Sequence, residues 1–133
     1  MSAKPVIVHE DERQWEGWPE DQVAERGNVL WKTLISAGLT PTMALTVGVA
    51  RLPSGESLPA HRHEQPEVYV VLDGTGVVTI DGAPSGLRPG ASVFIPGGAI
   101  HSVRSTGPTD LRVAYVFAAD AFEDVTYVFG EEA

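Results

Sequence analysis

The sequence predicts an all-β protein with a single domain. Short runs in which apolar and polar residues alternate recur along most of the chain, as in residues 43–52 and 67–72. Turn residues such as Gly, Pro and Asp separate these runs, and little of the chain has the longer period of an amphipathic helix. Many short strands with turns between them are typical of a β-barrel or β-sandwich. At 133 residues, the chain suffices for one such domain and is short for two.

The strand pattern begins after residue 28 and continues almost to the end of the chain. Asp73-Gly74 predicts a hairpin between two consecutive strands, and Asp81-Gly82 predicts a second tight turn. Residues 84–90 are assigned to a loop. The predicted strands comprise one histidine-bearing strand before residue 64 and residues 29–35, 43–52, 67–72, 77–80, 92–95, 100–104, 111–118 and 125–129.

Residues 1–27 differ from the rest and are predicted to form an N-terminal arm on a barrel of residues 28–133. The arm opens with a short apolar strand at residues 6–8 and continues as a polar, acidic segment. Trp15 and Trp18 lie in that segment. They are interpreted as aromatic residues that cover an open end of the barrel, or alternatively as a lid or dimer contact.

Composition excludes several classes of function. The formal net charge of −9 argues against sequence-independent nucleic-acid binding and against an anionic membrane surface, because both depend on Lys and Arg. The absence of cysteine excludes disulfides, thiolate metal sites and a cysteine nucleophile. Charged residues appear too early for a signal-peptide core, and no apolar run reaches membrane-spanning length, so the cytoplasm is the expected location.

Ligand-type side chains are concentrated in two places. His61 and His63 are two residues apart in a strand-like run, so both point to the same face. Glu67 begins the next strand, and an antiparallel turn is expected to bring its carboxylate near the pair. His101 follows a sharp Pro-Gly-Gly corner that can direct its imidazole towards the barrel interior. Of the four histidines, His9 alone falls elsewhere.

These residues resemble the cupin family, which is recognised by two motifs. The first motif is G-x5-H-x-H-x3-E-x6-G, and it is matched at every spacing by Gly55, His61, His63, Glu67 and Gly74. The second is G-x5-P-x-G-x2-H-x3-N, matched by Gly90, Pro96, Gly98 and His101, with Ser105 in place of the final Asn. That replacement puts the corner geometry in question, since the Asn is not a ligand.

The resemblance implies a small jelly-roll barrel that binds one divalent metal ion through His61, His63, Glu67 and His101. Imidazole and carboxylate ligands suit Fe, Mn, Ni, Co, Zn or Cu, so the identity of the metal is open. Four protein ligands on an octahedral ion leave two positions for water, substrate or dioxygen. The alternative is a cupin without metal, in which the histidines are hydrogen-bonded core residues.

Tyr69 shares the Glu67 face of its strand and is therefore predicted to point into the barrel beside the metal. A weaker resemblance, over residues 29–129, is to the small cupin lyases that cleave dimethylsulfoniopropionate. It implies Tyr69 as the catalytic base and Tyr127 as a second candidate or helper. In that case Trp31 and the tyrosines would face a sulfonium through cation–π attraction.

Three functions remain open at this point. The first is a metal-dependent lyase acting on a small carboxylate, and the second is a non-haem Fe(II) dioxygenase that uses the same open positions. The third is a non-enzymatic cupin that binds a small ligand or a sugar. All three have a small-molecule partner, and the resemblance further implies a homodimer, because cupins commonly cover an apolar barrel face with a second copy.

Overall fold

The computed structural model describes residues 2–130, which form two antiparallel β-sheets packed around one apolar core. Helical structure is limited to α1 (Val23–Arg26) and to 3-10 turns at Glu10–Glu12, Glu20–Gln22 and Phe122–Asp124. The strands are β1 (Glu16–Gly17), β2 (Leu30–Ile35), β3 (Thr46–Leu52), β4 (Ser57–Arg62), β5 (Glu67–Asp73), β6 (Gly76–Ile80), β7 (Ala83–Leu87), β8 (Ser92–Ile95), β9 (His101–Ser105), β10 (Leu111–Phe117) and β11 (Val128–Phe129).

The chain alternates between the two sheets. The six-stranded sheet has the order β1-β2-β3-β10-β5-β8, and the five-stranded sheet has the order β11-β4-β9-β6-β7. Strands that follow one another in sequence, such as β4 and β5 or β8 and β9, therefore lie in opposite sheets. This is the topology of a jelly roll. The all-β prediction is confirmed.

One strand was missed by the sequence reasoning. Residues 84–90 were expected to form a loop, but β7 pairs with β6 through a turn at Asp81 (φ 47°) and Gly82 (φ 83°). The first four residues of β7 are exposed and include Pro84 and Gly86. An edge strand with little buried surface tolerates such residues and shows no apolar alternation, which is why the pattern gave no signal.

The hairpin predicted at Asp73-Gly74 is wrong. The strand before it, β5, pairs with β10 and β8, whereas the strand after it, β6, pairs with β9 and β7. The turn passes the chain from one sheet to the other at Gly74 (φ 80°), where a Cβ would lie 2.3 Å from the Asp110 carbonyl oxygen. Turn residues show that the backbone bends there, but they do not determine whether the flanking strands pair.

The N-terminal segment lies against the edge of the six-stranded sheet. Residues 6–8 form no strand, contrary to expectation. Instead, β1 pairs with β2, and the Arg13 guanidinium donates hydrogen bonds of 3.1 Å to the carbonyl oxygens of Thr33 and Leu34. These contacts protect the free edge of β2. Within residues 2–130, no helix combines the length and apolarity needed to cross a membrane.

Gly48 permits a close contact inside the six-stranded sheet. A Cβ at this position would lie 2.2 Å from the Tyr115 Oη atom and 2.6 Å from the Lys32 carbonyl oxygen. The Tyr115 ring therefore lies over β3 because its paired residue there has no side chain.

We expect Gly48→Ala to destabilise the fold by about 3 kcal/mol, because neither the Tyr115 ring nor the Lys32 backbone has room to yield. Urea unfolding followed by circular dichroism measures the change in unfolding free energy. Gly86→Ala is the matched control, since Gly86 is also in a strand and a Cβ there would meet nothing within 4 Å. Equal stability of the two variants would show that the Tyr115 contact is not tight.

Candidate metal centre and adjoining cavity

Three histidines meet in the barrel interior, as predicted. His61 in β4 lies directly opposite His101 in β9, and His63 follows just after the end of β4. The intervening Arg62 is exposed, whereas the three histidines are buried. Each of the three offers one ring nitrogen, and these ligand atoms all lie within 4.8 Å of one another. Such a group could hold a metal ion.

Backbone carbonyl groups fix the orientation of all three rings. The Nδ1 atoms of His61, His63 and His101 lie 2.8, 2.8 and 2.9 Å from the carbonyl oxygens of Pro59, Gln65 and Ala99, respectively. A carbonyl oxygen can only accept, so each Nδ1 must carry the proton and donate it. In a neutral imidazole, the Nε2 lone pair is then free. The local sequence thus presents three Nε2 lone pairs towards one point, the arrangement in which histidine binds metals.

Glu67 approaches the three histidines from the opposite sheet. Its Oε1 atom is 3.1 Å from His63 Nε2 and 3.5 Å from His101 Nε2. The expected proximity is present, but the expected antiparallel turn is not, because β5 belongs to the six-stranded sheet and β4 to the five-stranded sheet. Buried lone pairs on nitrogen and carboxylate repel each other unless a proton or a cation lies between them.

The donor set fits a divalent cation. His101 Nε2 is buried and has no hydrogen-bond partner among residues 2–130, as expected of a ligand atom whose partner is an ion. Burial, reinforced by the nearby His101, lowers the pKa of His61 to about 3, while its hydrogen bond to the Pro59 carbonyl opposes the shift. The His61 ring is therefore neutral at physiological pH. Three imidazoles and one carboxylate suit the first-row divalent metals.

A cavity adjoins Glu67 between the sheets. It has a volume of about 50 Å³. Glu67 is the one formally charged group in its described lining, and aromatic rings form much of the rest. The lining consists of Trp18, Val29, Trp31, Ala50, Leu52, Leu58, Glu67, Tyr69, Val103, Leu111, Val113, Tyr115, Phe122 and Tyr127.

Both tyrosines singled out from the sequence line this cavity. Tyr69 shares the inner face of β5 with Glu67, and Tyr127 stacks on His61 with their ring centroids 5.2 Å apart. Burial raises the pKa of both phenols well above 10, and the Glu67 charge adds to each shift. Both phenols are thus protonated in the protein without a cation.

One cavity tyrosine was missed by the sequence reasoning. Tyr115 points inward from β10, and the alternation of Val113, Tyr115 and Phe117 was a sufficient signal to find it. Trp18, which was interpreted from the sequence as covering an open end of the barrel, lines the cavity from the N-terminal segment and packs 5.0 Å from Trp31, centroid to centroid.

Backbone hydrogen bonds hold the position that the Asn of the second motif would occupy. Ser105 stands at that position and is fully buried in β9. Its backbone exchanges hydrogen bonds with Gly55 and Glu56, at 3.1 and 2.9 Å. Its hydroxyl oxygen is buried without a hydrogen-bond partner in the part of the chain that the structure describes.

We expect Ser105→Ala to stabilise the protein by about 1 kcal/mol, since it removes a buried polar group that gains no hydrogen bond. Thermal unfolding measures the shift. Ser36→Ala is the control in the opposite direction, because the Ser36 hydroxyl accepts a 2.9 Å hydrogen bond from the Phe122 amide. A loss of stability in Ser105→Ala would reveal a partner for its hydroxyl.

Comparison with known proteins identifies the family. A family model described as a cupin domain matches residues 48–117, more than half of the chain. The chain is a cupin. The structure of a cupin-2 domain protein, Rru_A2000 from Rhodospirillum rubrum, superimposes with a TM-score of 0.76 at 18% identity, covering 99% of this chain and 84% of that one. At this identity, the likeness concerns the fold.

Three relatives of this cupin have different named functions. Dimethylsulfoniopropionate lyase DddW of Ruegeria pomeroyi is 42% identical over 80% of this chain and 70% of its own length. An oxalate-binding protein of Thermotoga maritima is 33% identical over 65% of this chain and 73% of its own. A 5-nitrosalicylic acid 1,2-dioxygenase of a Bradyrhizobium species is 30% identical over 71% of this chain and 45% of its own. All three act on or bind small molecules.

Proposed function

We propose that this cupin is a divalent-metal-dependent lyase acting on a small carboxylate, with dimethylsulfoniopropionate as the first substrate to test. The observation that carries the proposal is the position of Tyr69, which faces the cavity from the same side of β5 as Glu67 and lies 6.3 Å from His101, ring centroid to ring centroid. The 42% identity to a dimethylsulfoniopropionate lyase supports the same substrate class.

His61, His63, Glu67 and His101 would hold the metal in this proposal. A divalent cation there supplies positive charge that polarises a bound carboxylate and lowers the pKa of a neighbouring phenol. That charge opposes the upward shift which burial imposes on the Tyr69 pKa.

Tyr69, having lost its phenolic proton to solvent under the influence of that charge, would then act as a phenolate and remove a proton from the carbon next to the substrate carboxylate. The electron pair of that C–H bond forms the new carbon–carbon double bond. The bond between the β-carbon and sulfur breaks, and its electron pair leaves with a neutral thioether. Tyr127 also lines the cavity, and its hydroxyl would orient the substrate. The apolar walls exclude bulk water from the reacting carbon.

The test uses protein loaded separately with Fe(II), Mn(II), Ni(II), Co(II), Zn(II) or Cu(II). Each form is assayed on dimethylsulfoniopropionate and on a panel of small carboxylates, with and without oxygen. The proposal predicts release of dimethyl sulfide and acrylate, at the same rate under both atmospheres. Absence of elimination from every carboxylate with every metal would refute it.

A dioxygenase is the second candidate, favoured by the relative that oxidises 5-nitrosalicylic acid and by the open ligand positions the proposal leaves on the metal. Oxygen consumption by the Fe(II)-loaded protein, measured with an electrode, would identify it. Anaerobic turnover would eliminate it. The oxalate-binding relative supports a third outcome, in which ligands bind without conversion.

We also propose that the protein is a homodimer. The outer face of the six-stranded sheet exposes Phe94 on the edge strand β8 and Leu72 on the adjacent β5, with 65% and 44% of their surface accessible. A second copy covering this face would remove that apolar area from water. Light scattering coupled to size exclusion tests the assembly, and a monomeric mass contradicts it.

A further inference from the structure

Asp81 lies at the turn between β6 and β7, beside the start of the strand that carries His101. The antiparallel pairing of β6 with β9 reaches Ile80, which lies opposite His101. One residue further, the Asp81 N–H donates a 2.8 Å hydrogen bond to the Ile100 carbonyl oxygen. The Ile100 N–H donates in return to the Asp81 side chain, at 3.0 Å from Oδ1. The carboxylate therefore takes the place that the Asp81 carbonyl would have in an ordinary antiparallel pair.

The backbone of Asp81 explains why its side chain has this role. Its φ of 47° lies in the left-handed region, and Gly82 follows at 83°, so the chain turns away into β7. Asp and Asn adopt the left-handed conformation more readily than other residues that have a side chain. Asp81 thus forms the turn and still offers an acceptor to the Ile100 N–H.

The peptide group between Ala99 and Ile100 connects Asp81 to the metal centre. Its N–H donates to the Asp81 carboxylate, and its carbonyl oxygen accepts the 2.9 Å hydrogen bond from His101 Nδ1. Hydrogen bonds in a chain polarise one another, so a carboxylate at the N–H makes the carbonyl a stronger acceptor for the imidazole. A stronger acceptor at Nδ1 makes Nε2 a better electron-pair donor, as a carboxylate does when it contacts a metal-bound histidine directly.

His63 has no equivalent connection. Its Nδ1 atom lies 2.8 Å from the Gln65 carbonyl oxygen, and the peptide of that carbonyl continues to Pro66. Proline has no N–H, so no side chain can act on His63 through this peptide. At His101 the chain of hydrogen bonds leads to the buried Nε2 atom that has no partner among the described residues.

We propose that Asp81 is a positioning residue of the metal centre, which fixes the His101 imidazole and strengthens Nε2 as a ligand through the 99–100 peptide. Asp81 is exposed and belongs to neither of the two sequence motifs, so it acts from the surface of the barrel. The inference rests on the metal site of the proposed function and is independent of the reaction catalysed there.

Two substitutions at position 81 separate the carboxylate from the turn. Asp81→Asn keeps the turn and an acceptor oxygen but loses the charge, whereas Asp81→Gly keeps the turn alone. The dissociation constant for Zn(II) is measured by competition against a chelator. We expect it to rise about threefold in Asp81→Asn and about tenfold in Asp81→Gly, the lower end of the effect of residues that hydrogen-bond metal ligands. Unchanged affinity in Asp81→Gly would overturn the proposal.

NMR of the Zn(II)-loaded protein gives a readout that a loss of stability alone would not change. The signal of the proton on His101 Nδ1 should move upfield from wild type to Asp81→Asn and further in Asp81→Gly, because its hydrogen bond weakens. The corresponding proton of His63 is the internal reference and should not move. A His101 signal that stays in place would overturn the proposal, and Asp81→Asn alone suffices for this test if Asp81→Gly does not fold.

Asp73→Gly is the matched control for loss of charge. Asp73 also precedes a glycine, and its Oδ1 atom accepts a 3.0 Å hydrogen bond from the Gly74 N–H. It lies at the opposite end of β5 from Glu67. We expect Asp73→Gly to match the wild type in Zn(II) affinity and in the His101 signal. Losses equal to those of Asp81→Gly would show an effect of net charge and overturn the role of the peptide.

These measurements separate the inference from the proposed function. A wild type that binds no Zn(II) refutes the metal centre, and the role of Asp81 with it. A wild type that binds Zn(II) no more tightly than Asp81→Gly refutes the role of Asp81 and keeps the metal centre. The expected order of affinities in a protein that eliminates nothing refutes the lyase and supports the role of Asp81.

Discussion

Replacing Tyr69 by Phe is expected to reduce kcat for elimination by about a thousandfold, the contribution of a positioned general base. The substitution removes one oxygen atom and keeps the ring that fills the inner face of β5. The fold and the metal site should therefore survive. Steady-state kinetics of the metal-loaded variant, together with its metal content from mass spectrometry, measure the two effects independently.

Tyr127→Phe is the matched comparison, because Tyr127 lines the same cavity and its pKa is raised by the same causes, burial first and then the Glu67 charge. An orienting hydroxyl should raise KM more than it lowers kcat, so the two variants should differ in which constant changes. Full activity of Tyr69→Phe would show that Tyr69 is not the base. A larger loss of kcat in Tyr127→Phe would exchange the two roles.

Replacing His101 by Ala is expected to weaken binding of the divalent metal at least about a hundredfold. This loss is larger than that typical of a residue which only hydrogen-bonds a metal ligand. His101 Nε2 is a buried imidazole nitrogen that has no hydrogen-bond partner among the described residues, so its lone pair is available to a metal ion. Competition against a chelator of known affinity measures the change.

Stability offers a second measurement of the same prediction. A ligand that binds only the folded state raises the melting temperature, so the wild type should gain stability on metal addition and His101→Ala should gain little. His9→Ala is the control, because His9 is exposed and outside the cluster. An equal metal-dependent gain in wild type and His101→Ala would remove His101 from the ligand set.

Spacing within one strand was enough to predict that His61 and His63 share a face. They point inward because they alternate with the exposed Arg62, which is a property of one strand and needs no knowledge of its neighbours. The corner before His101 indicated only that its imidazole can turn towards the barrel interior. The resemblance to the cupin motifs is what joined His101 to the pair.

Pairing between strands that are far apart in the sequence could not be predicted from the spacing of residues. The sequence reasoning expected Glu67 to be a strand neighbour of the histidines, but it reaches them across the barrel from the other sheet. The same limit applies to the turn at Gly74. In each case, the outcome depends on which surfaces pack together, and the residues beside the position in sequence contain no information about that.

The carbonyl hydrogen bonds that orient the three imidazoles make the centre open to redesign. These hydrogen bonds to His61, His63 and His101 are formed by backbone oxygens of Pro59, Gln65 and Ala99, so the ring directions do not depend on which side chains stand at 65 and 99. Ala99 is buried in the apolar core and tolerates little added bulk, whereas Gln65 is partly exposed. An engineer can therefore vary the side chain at 65 while the direction of the His63 ring stays constant.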